Sequence, residues 1–108
     1  VQAIKPGERI LFLGVPSTGE LLRLAGLLSD GLIAVIGEDE AVREARKRCA
    51  HCTNVLLAPA HPEEIPFQVP FFTLVVDPDG VCERSEVARR EAERVLLDGG
   101  RIVREMDG

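Results

Sequence analysis

Four short groups of residues in this chain have types and spacings that could do chemistry. Gly14-Val-Pro-Ser-Thr-Gly19 has the G-x-x-x-x-G spacing of a phosphate-cradling loop. Such a loop needs Lys and then Ser or Thr next, to hold the phosphate charge and its magnesium. Glu20 and Leu21 stand there instead, and a carboxylate repels a triphosphate. The dinucleotide spacing G-x-G-x-x-G fails too, because Pro16 occupies the place of the second glycine. Its ring and missing N–H block close backbone approach to a pyrophosphate.

Cys49-Ala-His-Cys52 has the spacing of a redox or zinc pair. Redox pairs sit at helix N-termini, where the dipole lowers the thiol pKa. This pair falls at the predicted end of a helix, where the dipole opposes the thiolate. Zinc would need Cys49, Cys52, His61 and Cys82 to converge from distant loops, so the cysteines read as inert packing. His61 lies between Ala60 and Pro62, and a histidine there could act as a base. No nucleophile is spaced to partner it, and it reads as a solvated loop histidine. Asp77-Pro-Asp-Gly80 is an ordinary turn sequence. No catalytic residue is assigned.

The elements that must position these groups alternate between strand and helix. Arg9 to Gly14 is a first strand, apolar on both faces as a covered parallel strand should be. Glu20 to Ser29 is a helix with Leu21, Leu24, Ala25 and Leu28 on one stripe, and Gly31 ends it. Leu32 to Ile36 is the second strand. Asp39 caps a helix running to about Ala50, with Ala41, Ala45 and Cys49 on its core side. Asn54 to Ala58 is the third strand. The stretch from Pro59 to Pro70 holds four of the seven prolines and cannot be a long helix. Phe72 to Val76 is the fourth strand. A helix from Cys82 to Leu97 then stops at Gly99-Gly100, glycine being the usual residue after a helix. Arg101 to Glu105 is the fifth strand.

Strand–helix alternation with right-handed crossovers predicts one α/β domain over residues 1–108. It is a three-layer Rossmann-like fold whose parallel five-stranded sheet has the order 3-2-1-4-5. Ligands in such sheets bind at the carboxyl ends of the strands, where the order reverses beside strand 1. The segments to watch are therefore Gly14 to Gly19, Gly37 to Asp39, Pro59 to His61 and Thr73 to Gly80.

Composition narrows the partners. The net charge of −5 and dispersed Arg and Lys argue against nucleic acid, which needs a clustered basic surface. The densest basic run, Arg43 to Arg48, is interrupted by Glu44 and reads as a solvated helix face. Apolar runs such as Leu32 to Ile36 are too short to span a membrane. Three cysteines without a signal-peptide pattern point to a reducing cytoplasm.

The passage Glu91-Ala-Glu-Arg-Val-Leu-Leu-Asp-Gly-Gly100 resembles the E-x-x-R-V-L-x-P-G-G segment of the Rossmann-like S-adenosylmethionine-dependent methyltransferases. Pro6-Gly-Glu-Arg-Ile-Leu-Phe-Leu-Gly14 is similar to the family's P-G-x-x-V-L-D-x-G entry into strand 1. Ala60 and the ending Ile65-Pro-Phe67 are similar to its G-D-A-x-x-L-P-F passage. The resemblance spans about Pro6 to Val103. It implies that Gly14, Thr18 and Gly19 wrap the cofactor, that Glu38 or Asp39 accepts the ribose hydroxyls, and that Ala60 lies beside the adenine. Asp77-Pro-Asp-Gly80 resembles in part the (D/N)-P-P-(Y/F) motif of amino-group methyltransferases, which would turn Asp77 toward the acceptor.

The departures fall on ligand-binding positions. Phe12 replaces the acid that orients the methionine end, the loop lacks its middle glycine, and Pro59 replaces the acid beside the adenine amine. Backbone geometry demands the glycines; only a ligand demands the acids. The resemblance therefore implies a degenerate methyltransferase-like domain with S-adenosylmethionine binding weakened or lost. Its expected role is a non-catalytic structural or interaction module. The sheet is expected to lack the family's C-terminal antiparallel strands, leaving strand 5 open to homodimerise through its edge or the adjacent helix. An active methyltransferase, and a module for another nucleoside-like ligand, are the alternatives.

Overall fold

The computed structural model describes residues 4–105. Its strands are β1 (Arg9–Leu13), β2 (Leu32–Gly37), β3 (Val55–Pro59), β4 (Phe72–Val76) and β5 (Leu96–Val103). The helices are α1 (Thr18–Leu27), α2 (Asp39–Arg48), α3 (Val81–Arg84) and α4 (Glu86–Val95). All five strands are parallel, in the order β3-β2-β1-β4-β5. This is the topology expected from the alternation.

Side-chain alternation along the strands divides the core in two. Ile10, Phe12, Ile33, Val35, Leu57, Leu74 and Val76 face α1 and α2. Leu11, Leu13, Ala34, Ile36 and Val75 face α3, α4 and Ile65 of the proline-rich segment. Both faces are covered, which is why the strands read as continuous apolar runs. Asn54 ties the first layer together: its Nδ2 donates to the carbonyls of Ala25 (3.0 Å) and Leu28 (2.8 Å), satisfying the end of α1. Arg46 donates from α2 to the Leu57 carbonyl at 2.7 Å, on edge strand β3.

Several local expectations are corrected. Helix α1 starts at Thr18, not Glu20, because the Ser17 hydroxyl accepts the Glu20 N–H at 3.2 Å and caps it. Ala41 is exposed, and Val42 takes the core position with Ala45 and Cys49. The predicted Cys82 to Leu97 helix is two helices. Ser85 is extended between them (φ −128°, ψ 114°), and its Oγ accepts the Ala88 N–H at 3.1 Å as the cap of α4.

A further correction concerns Gly99-Gly100, which do not end the helix. Strand β4 captures the chain earlier: Phe72 pairs with Leu96, and the Phe71 N–H donates to the Val95 carbonyl at 2.8 Å. Residues 97–100 then bulge before Arg101 pairs with Leu74. Gly99 has φ +83°, so the bulge needs glycine there. A Cβ on Gly100 would meet Leu96 Cδ2 at 2.8 Å and the Leu97 carbonyl oxygen at 3.0 Å. The strand itself ends at Val103 rather than Glu105.

No helix forms between Pro59 and Phe71. Arg94 and Glu91 of α4 clamp this segment instead. Arg94 donates to the carbonyls of Phe67 (2.6 Å) and Ile65 (2.9 Å) and to the Glu91 carboxylate, which also accepts the Ile65 N–H at 3.0 Å. The Arg94 hydrogen bonds hold the Glu91 carboxyl below its ordinary pKa, against a smaller opposing effect of burial, with the Ile65 N–H adding to the lowering. A depressed folded-state pKa contributes stability above the unfolded value, and that stability is lost as pH falls through the folded one. Arg94→Ala should therefore destabilise the domain by about 2 kcal/mol near neutral pH. The deficit relative to the unaltered chain should shrink as urea midpoints are measured from pH 6 down through about pH 4 and below. An equal deficit at every pH would rule out the ionic part of the clamp.

Candidate functional site

A cleft of about 570 Å³ opens at the carboxyl ends of β1, β2 and β3. The turn after β1 begins at Gly14, whose φ of +121° excludes other residues and whose N–H donates to the Ile36 carbonyl at 2.8 Å. Gly37 continues the floor. A Cβ there would lie 2.8 Å from Val15 Cγ2, so the Val15 side chain already covers the strand end. Glu38, Asp39 and Ala41 form one wall where α2 begins; Pro59, Ala60, His61 and Pro62 form the next; Asp79 and Val81 close the third side.

Four of the six cofactor positions implied by the sequence meet in this cleft: Gly14, Glu38, Asp39 and Ala60. Thr18 and Gly19 do not line it. They form the first turn of α1, because Ser17 starts the helix before them. They do not line the second cavity either, which is about 450 Å³ and is bounded by Phe12, Pro16, Ser17, Glu20, Val76, Pro78, Arg104 and Glu105. Gly14, Val15 and Asp79 border both cavities.

The two carboxylates after β2 are not equivalent. Asp39 Oδ2 accepts from Arg43 at 2.8 Å across one turn of α2. Glu38 stands at the N-cap position without using its side chain to cap the helix. Its carboxylate is therefore the freer acceptor. His61 Nδ1 accepts the Glu63 N–H at 3.1 Å, which leaves Nε2 to carry the proton of the neutral ring. No Lys or Arg lines the larger cleft, whereas Glu38, Asp39 and Asp79 do. Such a rim repels phosphate and favours neutral or cationic ligands rich in hydroxyl donors.

The remaining sequence candidates are committed elsewhere. Asp77 is 1% exposed. Its Oδ1 accepts the Val81 N–H at 2.9 Å and its Oδ2 the Cys82 N–H at 2.8 Å, so both oxygens hold the start of α3. Burial, followed by the Asp77 carboxylate, pushes the Cys82 thiol up to about 12. Cys82 packs on the opposite face of the sheet from Cys49 and Cys52. Among the described residues, no three His, Cys, Asp or Glu side chains converge to hold a metal. No helix among them is long and apolar enough to cross a membrane. Phe12, at the family's acidic position, is 4% exposed and built into the core.

Ala41, Pro62 and Val81 line the cleft from outside the segments that the strand ends pointed to, and within those segments neither Val15 nor Asp79 was singled out. Val15 gave no signal, since its contact with Gly37 depends on the turn geometry. Asp79 gave one: it belongs to Asp77-Pro-Asp-Gly80, but the neighbouring Asp77 was the residue singled out.

No protein-family model matches the sequence, and no curated protein matches it. Solved structures do. The S-adenosylmethionine-dependent methyltransferase of Aquifex aeolicus superposes with a TM-score of 0.74 at 22% identity, over 87% of this chain and 53% of that one. Aeropyrum pernix fibrillarin, solved with natively bound S-adenosyl-L-methionine, gives 0.74 at 21% identity, over 91% and 45%. The [4+2]-cyclase SpnF gives 0.77 at 26% identity, over 93% and 39%. The chain thus spans about half the length of these proteins or less. The chain has the Rossmann-like fold of the S-adenosylmethionine-dependent methyltransferases, with the five parallel strands of their core in the same order.

Proposed function

We propose that this domain is a degenerate form of that fold, a non-catalytic module that associates with a second copy of itself. The observation that carries the reading is the fate of the polar positions. Phe12 is sealed in the core where an acid would orient the methionine end. Pro59 ends β3 where an acid would meet the adenine amine, and both Asp77 oxygens are bound internally. Each buried polar partner a ligand loses costs about 1–3 kcal/mol. Two or three such losses weaken affinity by about a hundredfold or far more. The retained walls therefore fit S-adenosylmethionine in part only, and no methyl-transfer step is assigned to them.

The second reading, a binding module for a nucleoside-like ligand, is favoured by one observation: Gly14, Glu38 and Ala60 share a single acidic cleft. Calorimetric titration separates the two readings, with Glu38→Ala as the control. Under the second reading adenosine or S-adenosylhomocysteine gives a saturable heat, and that variant weakens it at least about tenfold by removing a ribose acceptor.

Self-association is assigned to the outer edge of β5. Among the described residues its strand neighbour is β4, and the other edge of a strand offers its N–H and C=O groups to a further chain. The adjacent α4 is the weaker surface, since its outer face carries Arg89 paired with Glu86 and Glu93. Light scattering at tens of micromolar should give the mass of a dimer that dissociates on dilution. A monomer at every concentration contradicts the self-association.

A further inference from the structure

We infer that Cys49 and Cys52 form a reversible intramolecular disulfide, which makes the turn between α2 and β3 a site of thiol–disulfide exchange. The turn supplies the geometry. Cys49 caps the C-terminus of α2, and the Cys52 N–H donates to the Cys49 carbonyl at 2.9 Å. An i to i+3 bond of this kind brings the two Cα atoms within about 7 Å. A disulfide bridges Cα atoms separated by about 4.4–6.8 Å. Both side chains lie on the same face of the sheet: Cys49 belongs to the cluster under α1 and α2, and Cys52 packs against that cluster.

Exposure orders the steps. Cys49 is 4% exposed and Cys52 is half-buried, so a reagent reaches Cys52 first. Burial raises the Cys49 thiol pKa, and the neighbouring Cys52 adds to the effect, so Cys49 is the slower of the two toward a reagent from solution. The C-terminal end of the α2 dipole opposes a thiolate here, and Arg46, Lys47 and Arg48 in the last turn offset it in part.

The partner is a low-molecular-weight disulfide, RSSR. The Cys52 thiolate attacks one sulfur of RSSR, forming a mixed disulfide and expelling RS⁻. Cys49 loses its proton and attacks Cys52 Sγ, closing the ring and expelling the second RS⁻. Two protein thiols are oxidised and one RSSR is reduced to two RSH. Cys82 is the internal control, being buried across the sheet with its backbone N–H bound to Asp77.

The test exposes the folded chain to oxidised glutathione at mildly alkaline pH, with acid quench and mass spectrometry. Digestion after glutamate separates Cys82 from the pair, since Glu63 and Glu64 lie between them. The unaltered protein should lose two hydrogens from the peptide holding Cys49 and Cys52, with Cys82 unmodified. Cys49→Ser should stop at one glutathione on Cys52. Cys52→Ser should react at Cys49 at least about tenfold more slowly, since the more accessible entry thiol is gone. Circular dichroism confirms that each variant is folded, and Cys49→Ala replaces Cys49→Ser if the hydroxyl is not tolerated. A stable glutathione adduct on Cys52 of the unaltered protein, a bridge that includes Cys82, or cysteines left reduced would each overturn the assignment.

Discussion

Phe12→Asp should lower the stability of the domain by at least about 4 kcal/mol, and should not create a cofactor site. The substitution puts back the acid found at this position in the methyltransferases, so a competent pocket waiting for one residue would gain from it. The surroundings of Phe12 say otherwise. It sits in the middle strand, paired with Val35 on one side and Val76 on the other, and its ring fills the layer under α1 and α2. Removing a buried Phe side chain costs about 3–5 kcal/mol, and an unpaired carboxylate left there adds to that cost. For a domain of this size each kcal/mol shifts the melting temperature by about 4–8 °C. Urea and thermal unfolding followed by circular dichroism measure the effect. A folded variant with a loss under about 1 kcal/mol would mean that the β1 end tolerates a polar group after all.

Asp77→Ala should destabilise the domain by about 3 kcal/mol, the second-largest effect expected of a single substitution here. Its two carboxylate oxygens accept the Val81 and Cys82 N–H groups in a position only 1% exposed. Without them two amides at the start of α3 lose their partners, and each buried unsatisfied group costs about 1–3 kcal/mol. Asp77→Asn keeps one acceptor oxygen and should lose about half as much. Hydrogen exchange gives a second reading, because the Val81 and Cys82 amides should lose protection more than those of β1. If Asp77 instead served a ligand, Asp77→Ala would leave stability nearly unchanged.

The sheet order, the covered faces and the exclusion of a long helix after Pro59 were all legible from periodicity and proline placement. These features depend on local patterns that the fold repeats many times. The boundaries that failed were set by single long-range contacts. Phe72 takes Leu96 as a strand partner, which ends α4 before the glycines and turns Gly99 into a bulge residue. Ser85 breaks the last helix because its hydroxyl caps the next one. Glu91 and Arg94 of α4 hold Ile65 and Phe67 through contacts that spacing in the sequence does not encode.

The site divided along the same line. Gly14, Glu38, Asp39 and Ala60 met in one cleft because the sheet topology alone places those strand ends together. Thr18 and Gly19 were drawn into α1 by the Ser17 cap. That Asp39 is taken by Arg43 while Glu38 is left at the cleft depends on side-chain direction, which spacing does not encode.

In the proposed reading this fold keeps its frame and has lost the polar contacts that hold an adenosyl sulfonium. Isothermal titration of the folded chain with S-adenosylmethionine tests it most directly. The account predicts heats of dilution alone up to about 1 mM, a binding free energy no better than about −4 kcal/mol. A saturable isotherm with a dissociation constant near 1 μM, about −8 kcal/mol, would contradict it.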